Sequence, residues 1–500
     1  MTKGCVLAVD QGTSVTKALV VRGDGSVASA AEVPAGVRSA GPDGVEADPE
    51  VIWDSVLAAA RQAATAADER PAALALANQG ETVLAWDRAT GRPRSPAISW
   101  QDRRSAGICA RLAGHGPEIR QVTGLELDPY FSAPKMAWLR EQAGTGGVIT
   151  TTDTWLLHRL TGAFVTDAAT ASRTLLLDLD TVSWSERMCS LFGVDPAGLP
   201  EIVDNDATVG TTTELGSELP VAGIAVDQQA ALLAEACLQP AQAKCTFGTG
   251  AFLLATVGGR PVRSRAGLVS CVAWRLGGVA TYCLDGQVYT AGSAIDWLVR
   301  LGIVAAPAEL DPLASAAALS EEAFVPAFTG LAAPYWAPAA RASLTGLSLA
   351  SDRRTVVRAV LEGIAANVAV LAQAVADDLG GPLRRLRADG GLTGSRVLMQ
   401  AQADLLQAPV DVYATPHATA LGVAALARLA LGEAATAADA VAAWAPGVTY
   451  WPACGAQEAA GRLGRWRRAA EAALQPAATP TPGLRPAGTA GLVTRTRTAR

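Results

Sequence analysis

Histidine is nearly missing from this chain: only His115, His158 and His417 occur among 500 residues, far apart from one another. That scarcity leaves little from which to build a His-ligated zinc centre or a Ser-His-Asp hydrolase. Eight cysteines are scattered at 5, 109, 189, 237, 245, 271, 283 and 454 with no C-x-x-C pair, so no disulfide framework is encoded, and they read as reduced, buried apolar residues. Charge is sparse, 18% of residues, and nearly balanced, with 41 Lys plus Arg against 47 Asp plus Glu. No long basic run precedes the last few residues, which argues against a dedicated nucleic-acid binder. Apolar stretches are Ala-rich and broken by Gly, Asp or Arg within the ~20 residues that a bilayer span needs, so no membrane span is expected. The apolar segment behind Met1-Thr2-Lys3-Gly4 ends at Asp10, too short for a signal-peptide core, and the expected location is cytoplasmic.

Half of the residues are apolar, enough for two or three cores at about 150 residues per domain. Apolar β-type runs from Cys5 to Asp10 and from Lys17 to Arg22 flank a small polar turn containing Gly12, Thr13 and Ser14, the pattern of a hairpin with a functional tip. A third strand follows from Val27 to Val33, and Asp48-Pro49-Glu50 carries the start signals of a helix reaching about Ala67. The layout returns later: Ala243 to Phe247, the loop Gly248-Thr249-Gly250, then Ala251 to Val257. We read this as duplication of one architectural unit, its two loops facing one another across a cleft. Pro220 to Asp227 forms another strand with an acidic end, and the domain boundary is placed just after it, giving domains 1–228 and 229–474. A long helix from about Asp352 to Asp378 stops at Gly380-Gly381-Pro382. Residues 475–500, rich in Pro, Thr, Ala and Gly and without an acidic residue, are expected to be a disordered tail.

Without histidine, the chemistry falls to carboxylates, hydroxyls and backbone. Asp10 at a strand end can hold a hydrated Mg²⁺, while Gly12 lets backbone N–H groups and the hydroxyls of Thr13 and Ser14 approach phosphate oxygens, with Lys17 nearby. Gly248-Thr249-Gly250 and Asp389-Gly390-Gly391, the latter before a helix beginning near Ser395, offer the same close backbone approach. Each loop alone reads equally well as an ordinary turn; three in one chain favour a nucleotide. Asp227 can take a proton from a hydroxyl that attacks phosphorus, or cap the Ala/Leu-rich helix after it, and the two readings are compatible. Glu81, Trp100, Asp102 and Tyr130 supply the carboxylates and apolar faces of a polyol pocket, although each also suits a structural role.

Together these segments resemble the FGGY carbohydrate kinases, and within that family the glycerol kinases, from about residue 5 to about residue 430. The likeness is carried by Asn78 to Trp86 with Ser99 to Arg104, Thr123 to Leu139, Asp153 to Thr174, Ala222 to Leu232, Thr246 to Phe252 and Val325 to Trp336. Tyr130 to Gln142 fits the first family signature; the second, from Gly346 to Glu362, fits in part, with Thr355 where an amide, acid or His is usual. The resemblance implies an α/β fold of two actin-like, ribonuclease-H-type ATPase domains flanking a catalytic cleft. It also implies ATP-dependent, Mg²⁺-assisted phosphorylation of a terminal hydroxyl of a small polyol or sugar, and association as a homo-oligomer, a dimer or a tetramer. By matching positions, Asp10 serves the metal, and Thr13, Ser14, Lys17 and Thr249 the ATP phosphates. Gly292, Asp296, Gly391 and Ser395 line the adenosine site. Gly80, Glu81, Trp100, Tyr130, Asp227, Gln228 and Tyr289 surround the acceptor, with Trp100 and Tyr289 as apolar walls and Asp227 as the base.

Departures from the pattern bear on substrate choice. Gly80 stands where glycerol kinases carry an Arg that binds a glycerol hydroxyl, which opens room for a four- or five-carbon polyol or a ketose. Val15, Asp296 and Ser395 replace a usual Ser, Gln and Asn in the nucleotide region. A non-catalytic actin-like nucleotide-binding protein and a bare ATPase are the alternatives from other classes; the presence of Asp10, Asp227 and Glu81 weighs against the first.

Overall fold

The computed structural model describes residues 4–143, 146–317 and 321–474, so the tail expected at 475–500 lies outside the described residues. Two large mixed sheets dominate. The first is built from β1 (Cys5–Gln11), β2 (Val15–Val21), β3 (Val27–Pro34), β4 (Pro71–Asn78), β5 (Thr208–Thr212) and β6 (Leu219–Val226), in the order β3-β2-β1-β4-β6-β5. The second contains β7 (Ala243–Phe247), β8 (Ala251–Gly258), β9 (Val269–Leu276), β10 (Val279–Val288), β11 (Leu386–Asp389), β12 (Val410–Tyr413) and β13 (Pro446–Tyr450), in the order β9-β10-β8-β7-β11-β12-β13.

Apart from the extra edge strand β9, the two sheets have the same plan. In each, an antiparallel meander of three strands is followed by two parallel additions and a final antiparallel edge. The hairpin β1–β2 thus corresponds to β7–β8, and the polar tip of one to the Gly-Thr-Gly tip of the other. In the first hairpin the apolar runs Val6 to Val9 and Ala18 to Val21 are buried on both faces, as expected of strands covered by helices on both sides.

The helices follow their sequence signals. Helix α1 (Pro49–Ala66) starts where the Asp48 carboxylate accepts from Glu50 N and proline occupies the first turn. The helices α2 (Asp227–Ala234), α3 (Gly292–Arg300), α4 (Arg353–Leu379), α5 (Arg396–Leu406) and α6 (Ala418–Ala430) complete the frame around the cleft. Thr355, the unusual residue in the second signature, closes a capping box with Asp352 at the start of α4. Helix α4 is long and apolar enough to cross a bilayer, but 89% of its most apolar window is buried in the second core, against Phe247, Leu284 and Leu386. A further core joins the two halves: α2 and α6 lie between the sheets, with Val6, Ala8 and Ala75 on one side and Leu254, Cys271 and Cys283 on the other.

Candidate active site

The parallel strands of the first sheet deliver their chemistry to one edge. Pairing places Asp10 beside Ala77, Gln11 beside Asn78, and Asn78 beside Val226, so the segments after β1, β4 and β6 leave the sheet at one level. Asp10, Glu81 and Asp227 therefore meet at the carboxyl ends of three strands, where open α/β sheets bind ligands. In the second sheet Thr246 pairs with Asp389, which brings the tip at 248–250 and the turn after β11 to the matching edge. Lys17 lies across from Asp10 in the β1–β2 ladder, and its ammonium is 3.5 Å from Glu32.

A cavity of about 200 Å³ occupies the cleft between these edges, lined by Thr13, Ser14, Gly80, Glu81, Trp100, Tyr130, Asp227, Gln228, Thr246, Thr249 and Phe252, together with Gly248 and Gly250. The expected phosphate-side hydroxyls and the expected acceptor-side residues other than Tyr289 thus share one chamber. Trp100 divides it from a second cavity of about 180 Å³ that Tyr130 and Tyr289 also line, with Arg103, Arg300 and Phe328. Tyr289 packs on Tyr130 with ring centroids 5.8 Å apart and faces the second cavity, not the one that holds Asp227.

Glu81 is held in an unusual way. Thr82 N donates to Gly80 O at 2.7 Å, and Glu81 at the centre of that three-residue turn has φ 59°, a conformation costly for a residue with a Cβ. Its carboxylate is buried and accepts from Nε of Arg173 at 2.6 Å. Asp227 accepts at Oδ1 from the backbone N–H of Gln228 at 2.7 Å, and Gln228 Oε1 in turn accepts from Lys244 Nζ at 2.6 Å.

The expected adenosine-side residues fall in two places, Gly292 and Asp296 on α3 and Gly391 and Ser395 just before α5. Gly292 lies against the Gly-Thr-Gly tip so closely that a Cβ there would stand 2.7 Å from Gly248 O. Asp296 is exposed on α3, Gly391 is exposed after β11, and Ser395 caps α5 while donating to Asp311 Oδ1 at 2.5 Å. Asp311 lines the rim of a larger cavity of about 680 Å³.

Burial raises the Asp10 carboxyl to about 7, helped by the charges of Asp227 and Asp389 and opposed by Lys17. Burial likewise raises Asp227 to about 6, with Glu81 adding to the shift and Lys244 opposing it. Such crowding of carboxylates is relieved by a cation. Among the described residues no cluster of three or more His, Cys, Asp or Glu side chains forms an all-protein cage. That donor set fits Mg²⁺, which keeps most of its waters and takes one or two carboxylates together with phosphate oxygens.

Several members of the site carry no signal in a linear reading. Arg173 and Asp285 come from an Ala/Thr-rich segment and the middle of a strand, and they find Glu81 only through the fold. Lys135 is fully buried and donates to the carbonyls of Tyr130 and, at 2.9 Å, Phe131, fixing the loop that carries the Tyr130 ring; burial lowers its ammonium to about 8. Phe252 stands edge-on to Trp100 at 5.9 Å and completes the apolar wall; its place two residues beyond the Gly-Thr-Gly loop is the signal that could have found it.

The chain matches the FGGY family of carbohydrate kinases, N-terminal domain, over residues 5–234 and its C-terminal domain over residues 243–431. It is 43% identical over 491 residues to a glycerol kinase of Bordetella parapertussis, covering 93% of this chain and 96% of that protein. Its structure superposes on Plasmodium falciparum glycerol kinase with ADP at a TM-score of 0.86 with 29% identity, over 95% of this chain and 99% of the other. The corresponding values for Rhodospirillum rubrum xylulose kinase are 0.80 and 26%, over 94% and 98%. With the paired sheets and the shared cleft, these matches establish that the chain belongs to the FGGY family of carbohydrate kinases, phosphotransferases that act on an alcohol group.

Proposed function

We propose that the protein transfers the γ-phosphoryl group of ATP to a terminal hydroxyl of glycerol or a closely related small polyol, releasing ADP. The observation that carries this reading is the single chamber in which Asp227 and Glu81 stand beside Thr13, Ser14 and Thr249. In this reading Glu81 and Tyr130 orient the acceptor, with Trp100 and Phe252 as its apolar walls. Asp227 takes the proton from the attacking hydroxyl, and the hydroxyls and backbone N–H groups of the two hairpin tips hold the phosphates. Asp10 would hold Mg²⁺, which would supply charge neutralisation on the phosphate oxygens. Gly292, Asp296, Gly391 and Ser395 border the adenosine. Catalysis then rests on positioning and water exclusion as two actin-like domains, 1–228 and 229–474, close on the cleft.

A second reading, a four- or five-carbon polyol or ketose as the acceptor, is favoured by one observation: Gly80 lines the chamber without a side chain. Kinship to the glycerol kinases supports the first reading, and the likeness to a xylulose kinase suits the second. A coupled ADP-release assay with Mg·ATP and glycerol, dihydroxyacetone, erythritol, D- and L-threitol, ribitol, xylitol and D-xylulose separates them. Highest kcat/KM on glycerol selects the first, on a C4 or C5 compound the second, and no acceptor-stimulated ADP release refutes both.

A further inference from the structure

Arg173 is a guanidinium sealed inside the protein, 3% exposed, and it bonds the acceptor-side carboxylate Glu81 to Asp285 of the second sheet. Its three nitrogens point three ways. Nε donates to Glu81 Oε1 at 2.6 Å, Nη1 to Asp285 Oδ2 at 2.5 Å, and Nη2 to the Tyr130 hydroxyl at 3.4 Å. The guanidinium carbon also lies 5.7 Å from the Tyr130 ring centre and 5.4 Å from that of Phe131. Glu81 and Tyr130 line the chamber that holds Asp227, whereas Arg173 does not. Asp285 sits in the middle of β10, and its other oxygen, Oδ1, is buried with no hydrogen-bond partner, so Arg173 answers that charge.

This geometry has a clear chemical effect. Burial works to keep the Glu81 carboxyl protonated, and Arg173 is the principal group opposing it. Arg173 occupies one oxygen of the Glu81 carboxylate, Oε1, which leaves the other acceptor positions of the group for substrate hydroxyls. The planar fork also fixes the carboxylate's direction, which a backbone held at φ 59° would not secure alone. Because Asp285 belongs to the second sheet, the direction of Glu81 depends on the registration of one sheet against the other.

We propose that Arg173 is the positioning residue of the acceptor site: anchored on Asp285, it sets the aim of Glu81 and the tilt of Tyr130, and so couples acceptor affinity, but not nucleotide affinity, to the fit between the two halves of the cleft. The inference rests on the reading of Glu81 as an acceptor ligand. Steady-state kinetics of wild type, Arg173→Lys, Arg173→Gln and Asp285→Asn test it, with acceptor and Mg·ATP varied independently and near-UV circular dichroism reporting the fold. For Arg173→Gln the expected rise in acceptor KM is about tenfold or more, the scale of a lost charged hydrogen bond, with Mg·ATP KM within about twofold of wild type. Arg173→Lys keeps the charge but loses the fork, so it recovers part of that loss. Asp285→Asn keeps shape and removes the anchor's charge, and it raises acceptor KM in the same selective way. If Arg173→Gln does not fold, the lysine and Asp285→Asn variants decide the matter alone. An acceptor KM unchanged in both, or the two KM values rising together, overturns the proposal and leaves Arg173 as a structural bolt. Absence of polyol turnover in the wild type instead overturns the functional reading, and this inference with it.

Discussion

The indole N–H of Trp100 donates to Oγ1 of Thr13 at 2.8 Å, tying the aromatic wall of the chamber to the tip of the first phosphate-side hairpin. One ring thus touches both halves of the proposed reaction, since Trp100 also lies 5.7 Å from Tyr130 and 5.9 Å from Phe252. Trp100→Phe keeps a flat apolar face and loses the bond. We expect kcat/KM to fall about fivefold, the equivalent of about 1 kcal/mol for a neutral hydrogen bond. Trp100→Ala removes the wall as well and should lower it much further, and steady-state kinetics of the two variants separate the contributions.

The proposed base, Asp227, should give the reaction an acid limb. As a base it works ionised, and its carboxyl is raised to about 6, so kcat/KM should fall as pH drops through that value and level off above it. The sign follows from protonation: below about 6 the carboxylate is neutral and accepts no proton from the acceptor hydroxyl. Asp227→Asn should lower kcat by about 10²- to 10⁴-fold and abolish that limb, while the thermal midpoint changes little or rises, because a buried charge is removed. A variant with near-normal kcat would exclude Asp227 as the base.

Gly80 is the place to look for acceptor choice. A Cβ there would approach Val226 Cγ2 at 3.0 Å, tight enough to require a small shift. Gly80→Arg fills part of the chamber and adds a charged donor, so the ratio of kcat/KM on glycerol to that on C4 or C5 polyols should rise by about tenfold. An unchanged ratio would mean that position 80 does not set specificity.

Gly292 supports the other tip. Its approach to Gly248 O leaves no room for a methyl group, so Gly292→Ala must push the Gly-Thr-Gly loop out of place. The expected outcome is a Mg·ATP KM raised by about tenfold with acceptor KM almost unaffected, the reverse of the Arg173 pattern. Isothermal titration with ADP gives the same answer without turnover.

Local signals made much of the frame readable. The hairpin tip at 12–14 stood out because only polar and glycine residues interrupt two apolar runs, and the start of α1 because Asp48 and Pro49 each solve a problem of unpaired N–H groups. Asp10, Asp227 and Thr249 were visible for the same reason: each ends a strand or sits in a tight glycine-bearing turn. Arg173 was not, because nothing in Ala168 to Thr174 distinguishes it, and its partners are 92 and 112 positions away. Lys244 and Lys135 were likewise silent, since a buried lysine is recognised only by what surrounds it. Tyr289, expected on the acceptor wall, packs on Tyr130 and lines the neighbouring cavity with it and Trp100.

Helix α6 lies in the chain between β12 and β13 of the second sheet but packs against β1, β4 and β6 of the first. There Gly422 meets α2 so closely that a Cβ would fall 1.9 Å from Ala230 O. The polypeptide therefore laces its two halves together, as a belt returns through its own buckle. A fragment ending near residue 234 would expose the apolar face that Val423 and Leu426 cover, and the remaining piece would carry an uncovered greasy helix of its own. Gene fragments split at that point should yield aggregates when made separately and recover a soluble, active pair only when made together.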